Sequence, residues 1–392
     1  MESIESSTTL IAGGGIGGCA AALALARQGM PVTLLEQARE LKEIGAGIQL
    51  GPNAFRVFDA LGLREAVEEV VVYPSGLVMM DALSAEEVTR IPLGQPFLDR
   101  FGQPYGVIYR ADLHRILVDA CSAMPGVRME TDRKLSDFED DGRQVHVATE
   151  DGNRYRGQAL VGADGLWSRV RQRLVGDGDP RVSGHIAYRA VLPTSLIPEH
   201  LRFNDMVLWA GPRLHLVQYP LRRGGLYNLV AVFHSDRYEE GWDTYGDTAE
   251  LNLRFRDACE PVQTLLSKIE TWRMWVLCDR EPVSNWSSGR VTLLGDAAHP
   301  MLQYMAQGAC MAMEDAVELA KQMAAHSGDP RRAFLAYQQQ RYVRTCRVQL
   351  TARLYGAAYH AEGAVRDLRN QYLRSRTQEQ SMESLAWLYD PH

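Results

Sequence analysis

The chain has 392 residues, 46% of them apolar and 23% charged, which is enough for two domains with real cores and excludes intrinsic disorder as the default. Its 42 basic and 49 acidic residues leave a formal charge of −7, and basic runs stop at pairs such as Arg222-Arg223, which excludes a nucleic-acid-binding surface. The six cysteines are scattered, with no Cys-x-x-Cys pair and no histidine spacing suited to zinc, so they read as reduced thiols and no metal centre is expected.

Along the chain, Met1 to Thr9 is polar and acidic, and the short apolar stretch after it breaks at glycines well short of the roughly 18 residues a membrane span requires. A cytoplasmic location is therefore expected. Thr9 to Ala12 reads as a strand, Ile16 to Gln28 as an Ala/Leu-rich helix and Val32 to Leu35 as a second strand ending at Glu36, which together make a βαβ unit. Gln158 to Gly162 and Val291 to Gly295 are apolar runs that stop at Asp-Gly and Gly-Asp, as parallel strands of the same sheet would. Between them, His185 to Arg189, Met206 to Trp209, Leu214 to Pro220 and Tyr227 to Phe233 read as successive strands of an antiparallel sheet. Helix formers at helical spacing dominate from Gly308 to Met323 and from Asp329 to Gly356. The expected class is α/β. A Rossmann-like dinucleotide-binding domain is assembled from 1–72, 98–180 and 277–350, an inserted antiparallel-sheet domain from 73–97 and 181–276, and a helical region from 351–392.

Gly13-Gly14-Gly15-Ile16-Gly17-Gly18 fits the G-x-G-x-x-G pattern between a strand and a helix, with Glu36 about 20 residues on at the end of the next strand. Gly13 permits the tight turn, Gly15 lets a pyrophosphate approach the backbone beside Ile16, and Gly18 lets helix and strand pack closely. Glu36 can accept hydrogen bonds from a ribose diol. The motif by itself does not separate FAD from NAD.

Two later segments do: Ala163-Asp164-Gly165-Leu166-Trp167-Ser168-Arg169-Val170-Arg171 and Leu294-Gly295-Asp296-Ala297-Ala298-His299-Pro300. With both in order, the chain resembles the class A flavoprotein monooxygenases, the para-hydroxybenzoate hydroxylase-like family, over essentially its whole length. The resemblance implies FAD as cofactor, with Asp296 on the ribityl chain, Asp164 where flavin and nicotinamide sites meet, and Arg110 in Tyr109-Arg110-Ala111-Asp112-Leu113 touching the cofactor. It also implies Gly308 and Ala309 near the flavin, and Gly47 to Gln49 passing close to its ring. Taken singly, Asp164 and Asp296 also read as turn or helix-cap aspartates. No second G-x-G-x-x-G follows a strand, so NADH or NADPH, NADH favoured by the resemblance, is expected as a visiting co-substrate. A homodimer is implied too, with Trp387 and Tyr389 in the C-terminal region available to pack on a partner subunit.

Hydroxylating a ring asks the protein to exclude water, orient the ring and raise its electron density, and a phenol does the last when deprotonated. A histidine suits as base because its unperturbed pKa is near neutral. In the strand from Leu214, period 2 places His215, Val217 and Tyr219 on one face. From spacing alone His215 and Tyr219 read as a core pair. Within the family, however, the run His215-Leu216-Val217-Gln218-Tyr219-Pro220-Leu221 looks closest to the pocket strand of the 3-hydroxybenzoate 6-hydroxylases. So does Gln303-Tyr304-Met305-Ala306-Gln307-Gly308-Ala309, where the wider family has a proline at the place of Gln303, a glycine at Ala306 and an asparagine at Cys310. That resemblance makes His215, Tyr219 and Gln303 the catalytic candidates and Tyr105 a further pocket residue, while His299 reads as loop support. The expected substrates are a small phenolic acid and O2. Salicylate 1-hydroxylation giving catechol is the first alternative, and a flavin-binding reductase or regulatory module that hydroxylates nothing is an alternative of another class.

Overall fold

The computed structural model describes residues 8–41, 45–235 and 244–391; the polar N-terminal stretch lies, through residue 7, outside them. A six-stranded sheet takes the order Ser287–Ser288, Val291–Leu293, Ala159–Gly162, Thr9–Ala12, Val32–Leu35, Val127–Glu130. All its pairings are parallel except the edge strand Ser287–Ser288. Thr9–Ala12 and Ala159–Gly162 are buried at every position, as runs of apolar residues become when both sheet faces are covered. Helix Ile16–Arg27 packs beside them because its small residues allow close approach. A Cβ on Gly18 would stand 1.9 Å from the Gly13 carbonyl oxygen, and one on Gly17 would press on Leu294 and Ala312, the latter in helix Gly308–Ala325.

The second large sheet has eight strands: Thr244–Tyr245, Arg273–Asp279, Arg181–Pro193, Leu226–His234, Leu214–Leu221, Met206–Gly211, Gly76–Asp81 and Glu87–Pro92. The four strands expected to be antiparallel are so, and Met206–Ala210 additionally pairs in parallel with Leu77–Asp81. Alternation along Leu214–Leu221 follows period 2. Leu214 and Leu216 join Trp209, Tyr188 and Phe233 in one core, whereas Val217 and Tyr219 belong to apolar clusters on the opposite face, with Tyr105, Met311, Leu302, Tyr304 and Ala352.

Two features were not anticipated: an antiparallel meander of Leu135–Asp140, Val145–Thr149 and Arg154–Gly157, and the pairing of Gly47–Leu50 with Gly106–Tyr109. Helix Pro330–Tyr359 runs unbroken through residue 350, and its C-cap His360 reaches the large sheet, where it bonds His215. Of the C-terminal aromatics, Tyr389 is buried against Phe97, Phe101 and Tyr105, and the exposed Arg347 lies 4.0 Å above the half-buried Trp387 ring. No disulfide joins the six cysteines, and no helix among the described residues is long and apolar enough to cross a membrane.

Candidate active site

The glycine turn closes over strand Thr9–Ala12. Gly13 has φ +107°, and a Cβ there would lie 2.3 Å from the Ala163 carbonyl oxygen. Gly15 caps helix Ile16–Arg27 with no side-chain hydrogen bond, which leaves the first N–H groups and the positive end of the helix to an anion. Glu36 stands at the mouth of this turn, accepting from Gly14 N at 2.6 Å and from Ala38 N at 2.8 Å.

Across the sheet, Asp296 sits in the turn Gly295–Ala297 directly after strand Val291–Leu293. Its side chain is exposed between buried neighbours. Surrounding protein nevertheless raises its carboxyl by desolvation, which His299 and Arg110 only partly oppose. A group both open and densely surrounded lines a cleft rather than the outer surface. Gly308 opens the next helix beside it, where a Cβ would lie 3.7 Å from Asp296 Oδ1.

A buried ionic network holds this turn. Asp315 accepts from Gly295 N at 3.0 Å, contacts His299 Nε2 at 2.5 Å and accepts from Arg341 Nε at 2.6 Å. Glu314 accepts from Arg341, Arg344 and Asn53. His299 thus serves the loop, as its reading from the sequence has it. Asp164 is engaged locally, accepting from Ser168 Oγ at 2.5 Å and Val170 N at 3.2 Å at the start of helix Arg169–Leu174.

The glycine cradle, the uncapped helix and the open carboxylate across the sheet fit the two ends of a flavin dinucleotide. The third region is a pocket face on the large sheet. Tyr219 covers Gly47, where a Cβ would come within 2.4 Å of the phenol ring, and Gly47 N donates to Asn228 Oδ1 at 2.8 Å. Tyr105 is buried and donates to Gln49 Oε1 at 2.5 Å. Gln303 accepts from Arg189, a residue not singled out from the sequence. Burial pushes the Tyr219 phenol up, against the pull of Arg189.

His215 does not stand alone. Its Nδ1 lies 2.7 Å from His360 Nε2, and His185 Nε2 lies 2.7 Å from His234 Nε2. The Tyr304 hydroxyl is hydrogen-bonded to His185. One nitrogen from each of His185, His234 and His360 falls within 4.8 Å of the other two, a donor set that suits a transition ion, although two of the three rings already bond each other. The premise that His215 titrates near neutrality fails in this setting. Desolvation, then His185, push it down to about 3, and burial pushes His185 down to about 4. These imidazoles are neutral at physiological pH. No local sequence signal joins residues 185, 215, 234 and 360. Arg189 did leave one: a guanidinium in the middle of the apolar run Ile186-Ala187-Tyr188-Arg189-Ala190-Val191.

The parallel sheet and its glycine cradle are those of a dinucleotide-binding oxidoreductase, and the open carboxylate across the sheet is that of a flavoprotein. The model of the family described as FAD binding domain matches residues 6–350, and the chain belongs to that family. It is 48% identical over 380 residues to the 3-hydroxybenzoate 6-hydroxylase of Polaromonas naphthalenivorans (strain CJ2), covering 97% of this chain and 95% of that one. It is 47% identical over 380 residues to the 3-hydroxybenzoate 6-hydroxylase of Klebsiella oxytoca, covering 97% and 96%. Among solved structures it matches Klebsiella pneumoniae HpxO complexed with FAD and uric acid, with TM-score 0.87, 27% identity and coverage of 98% and 97%. The chain is an FAD-dependent hydroxylase.

Proposed function

We propose that the chain hydroxylates 3-hydroxybenzoate at position 6, giving 2,5-dihydroxybenzoate, with NADH or NADPH as reductant and O2 as oxidant, in the cytoplasm. The observation that carries the reading is the sheet face on which His215 and Tyr219 stand, with Gln303 laid over it, in a chain 48% identical over 380 residues to a relative named for that reaction. When bound and reduced by the nicotinamide, FAD would activate O2 as the electrophilic oxygen donor. The protein supplies the rest. Tyr105, Leu302 and Tyr304 are buried around the face and exclude water, and the Gln303 amide and Tyr219 hydroxyl offer polar contacts that orient a small ring.

His215 accepts the phenol hydrogen bond through a neutral imidazole. His215 takes the phenol proton as the phenolate forms, the negative charge beside it offsetting the burial that otherwise disfavours its imidazolium. The phenolate then directs oxygen to the ring positions ortho and para to itself, and orientation between Gln303 and His215 selects the para one.

Product analysis after incubation with each acid tests this reading. 2,5-Dihydroxybenzoate from 3-hydroxybenzoate is expected; catechol from salicylate would favour the first alternative, and NADH oxidation unchanged by any aromatic acid would favour a non-hydroxylating flavoprotein. The homodimer stands as a further proposal, supported by the exposed stripe Val365, Leu368 and Tyr372 at helical spacing and measurable by light scattering.

A further inference from the structure

Arg189 is a cation set deep in protein, with no counter-ion among the described residues. Its only hydrogen-bond acceptor among the described residues is the Gln303 amide oxygen, its Nε is buried and unbonded, and no carboxylate there lies within ion-pair distance of it. The titratable groups that act on it are the Tyr219 phenol, itself neutral at physiological pH, and a second cation, Arg110. Its guanidinium lies 5.2 Å from the Trp275 ring, which fixes its plane. Burial pulls it down only to about 10, so it stays charged at neutral pH.

Such a charge is costly to bury unless something pairs with it. Sheet register shows where the partner must stand: Arg189 pairs with Val230, and Val230 with Val217, which lies midway between His215 and Tyr219 on the same strand. Directly opposed residues share a face, so Arg189 points to the same side as the two candidates. Part of the Arg189 surface remains open, as it does for a side chain lining an internal space.

We propose that Arg189 is the subsite for the carboxylate of the aromatic acid, taking it through its unbonded N–H groups while Gln303 holds the guanidinium in place. The inference rests on the reading of the chain as a hydroxybenzoate hydroxylase and adds what selects an acid over a neutral phenol. A planar fork binds a carboxylate in two parallel hydrogen bonds, which lysine cannot reproduce. With its carboxylate fixed at Arg189 and its hydroxyl toward His215, a meta-hydroxylated acid lies along one line of the sheet.

The test compares the FAD-loaded wild type with Arg189→Gln and Arg189→Lys. Dissociation constants for 3-hydroxybenzoate and for neutral 3-hydroxybenzamide are read from the change in flavin absorbance, and turnover from NADH oxidation. Arg189→Gln is expected to weaken the acid by about 30- to 100-fold and the amide by less than about 3-fold, with Arg189→Lys between wild type and Arg189→Gln for the acid. Equal losses for both ligands, or no loss for either, would overturn the anchor. If Arg189→Gln does not take up FAD, the acid-to-amide ratio of Arg189→Lys decides: an unchanged ratio overturns the proposal. A wild type that hydroxylates no phenolic acid would instead remove the underlying reading, and the anchor with it.

Discussion

Arg341 is the keystone of the network beneath Asp296, and its removal is the most informative perturbation of the fold. Burial alone would raise Glu314, but Arg341, Arg344 and Asn53 outweigh it and hold the carboxyl down at about 2. Burial would raise Asp315 likewise, and His299 and Arg341 hold it well below the usual carboxylate range. For Glu314, the fall from 4.5 to about 2 amounts to about 3 kcal/mol of stability. Because this folded value is depressed, that stability is complete above pH 4.5 and is lost as pH falls toward 2. In Arg341→Leu the buried Glu314 loses its main cation and Asp315 one of its two, which is expected to cost about 3–5 kcal/mol at pH 7 and lower the melting temperature by on the order of 4–6 °C. The uncompensated carboxyls then take up protons at higher pH than in the wild type, so the deficit narrows on acidification toward pH 4. Asp315 also receives Gly295 N–H and touches His299, so the Asp296 turn loosens and flavin content falls. Thermal melts from pH 4 to 8, with flavin absorbance per chain, measure both effects. A loss below about 1 kcal/mol at pH 7 with full flavin content would mean that Arg341 does not hold the two carboxylates or the Asp296 turn.

Gly18→Ala places a Cβ 1.9 Å from the Gly13 carbonyl oxygen, a backbone contact that cannot relax without moving helix and strand apart. Purified variant protein is expected to carry little FAD, and a wild-type flavin-to-protein ratio would count against the cradle. Gly47→Ala drives a methyl into the Tyr219 ring, so the KM for the aromatic acid should rise several-fold in the flavin-loaded enzyme; an unaltered KM would remove Tyr219 from the pocket. The neutral histidines make the chain acid-sensitive: with folded values of about 3 for His215 and about 4 for His185, each contributes stability that is lost as pH falls below 6.5. At pH 5 that amounts to about 2 kcal/mol for the fully buried His215 and to less for His185, whose ring is partly open to solvent and screened by it, and the melting temperature of His185→Phe should fall less steeply between pH 7 and 5 than that of the wild type. Parallel slopes would contradict the burial of these rings.

Local pattern carried much of the architecture. Thr9–Ala12 and Val32–Leu35 lie where unbroken apolar runs place them, and the strand Leu214–Leu221 presents the alternating faces that period 2 requires. What stayed hidden depends on contacts between distant segments. The parallel pairing of Met206–Ala210 with Leu77–Asp81 leaves no trace in either stretch, and the meander of residues 135–157 reads as a polar connection because half its side chains face water. At the site, residues carried by compact motifs were legible, while His360 meets His215 across 145 positions and only tertiary packing joins them. Arg189 was visible as a charge in an apolar strand, but that no described residue supplies its counter-ion is a property of the folded surroundings.

On the proposed reading, this cleft inserts one atom of dioxygen into the ring of a phenolic acid. Turnover of 3-hydroxybenzoate with NADH under 18O2, followed by mass spectrometry of the product, tests it most directly. The expected product is 2,5-dihydroxybenzoate carrying one heavy oxygen, formed in step with NADH consumed. Unlabelled product, or hydrogen peroxide as the sole fate of the oxygen, would contradict it.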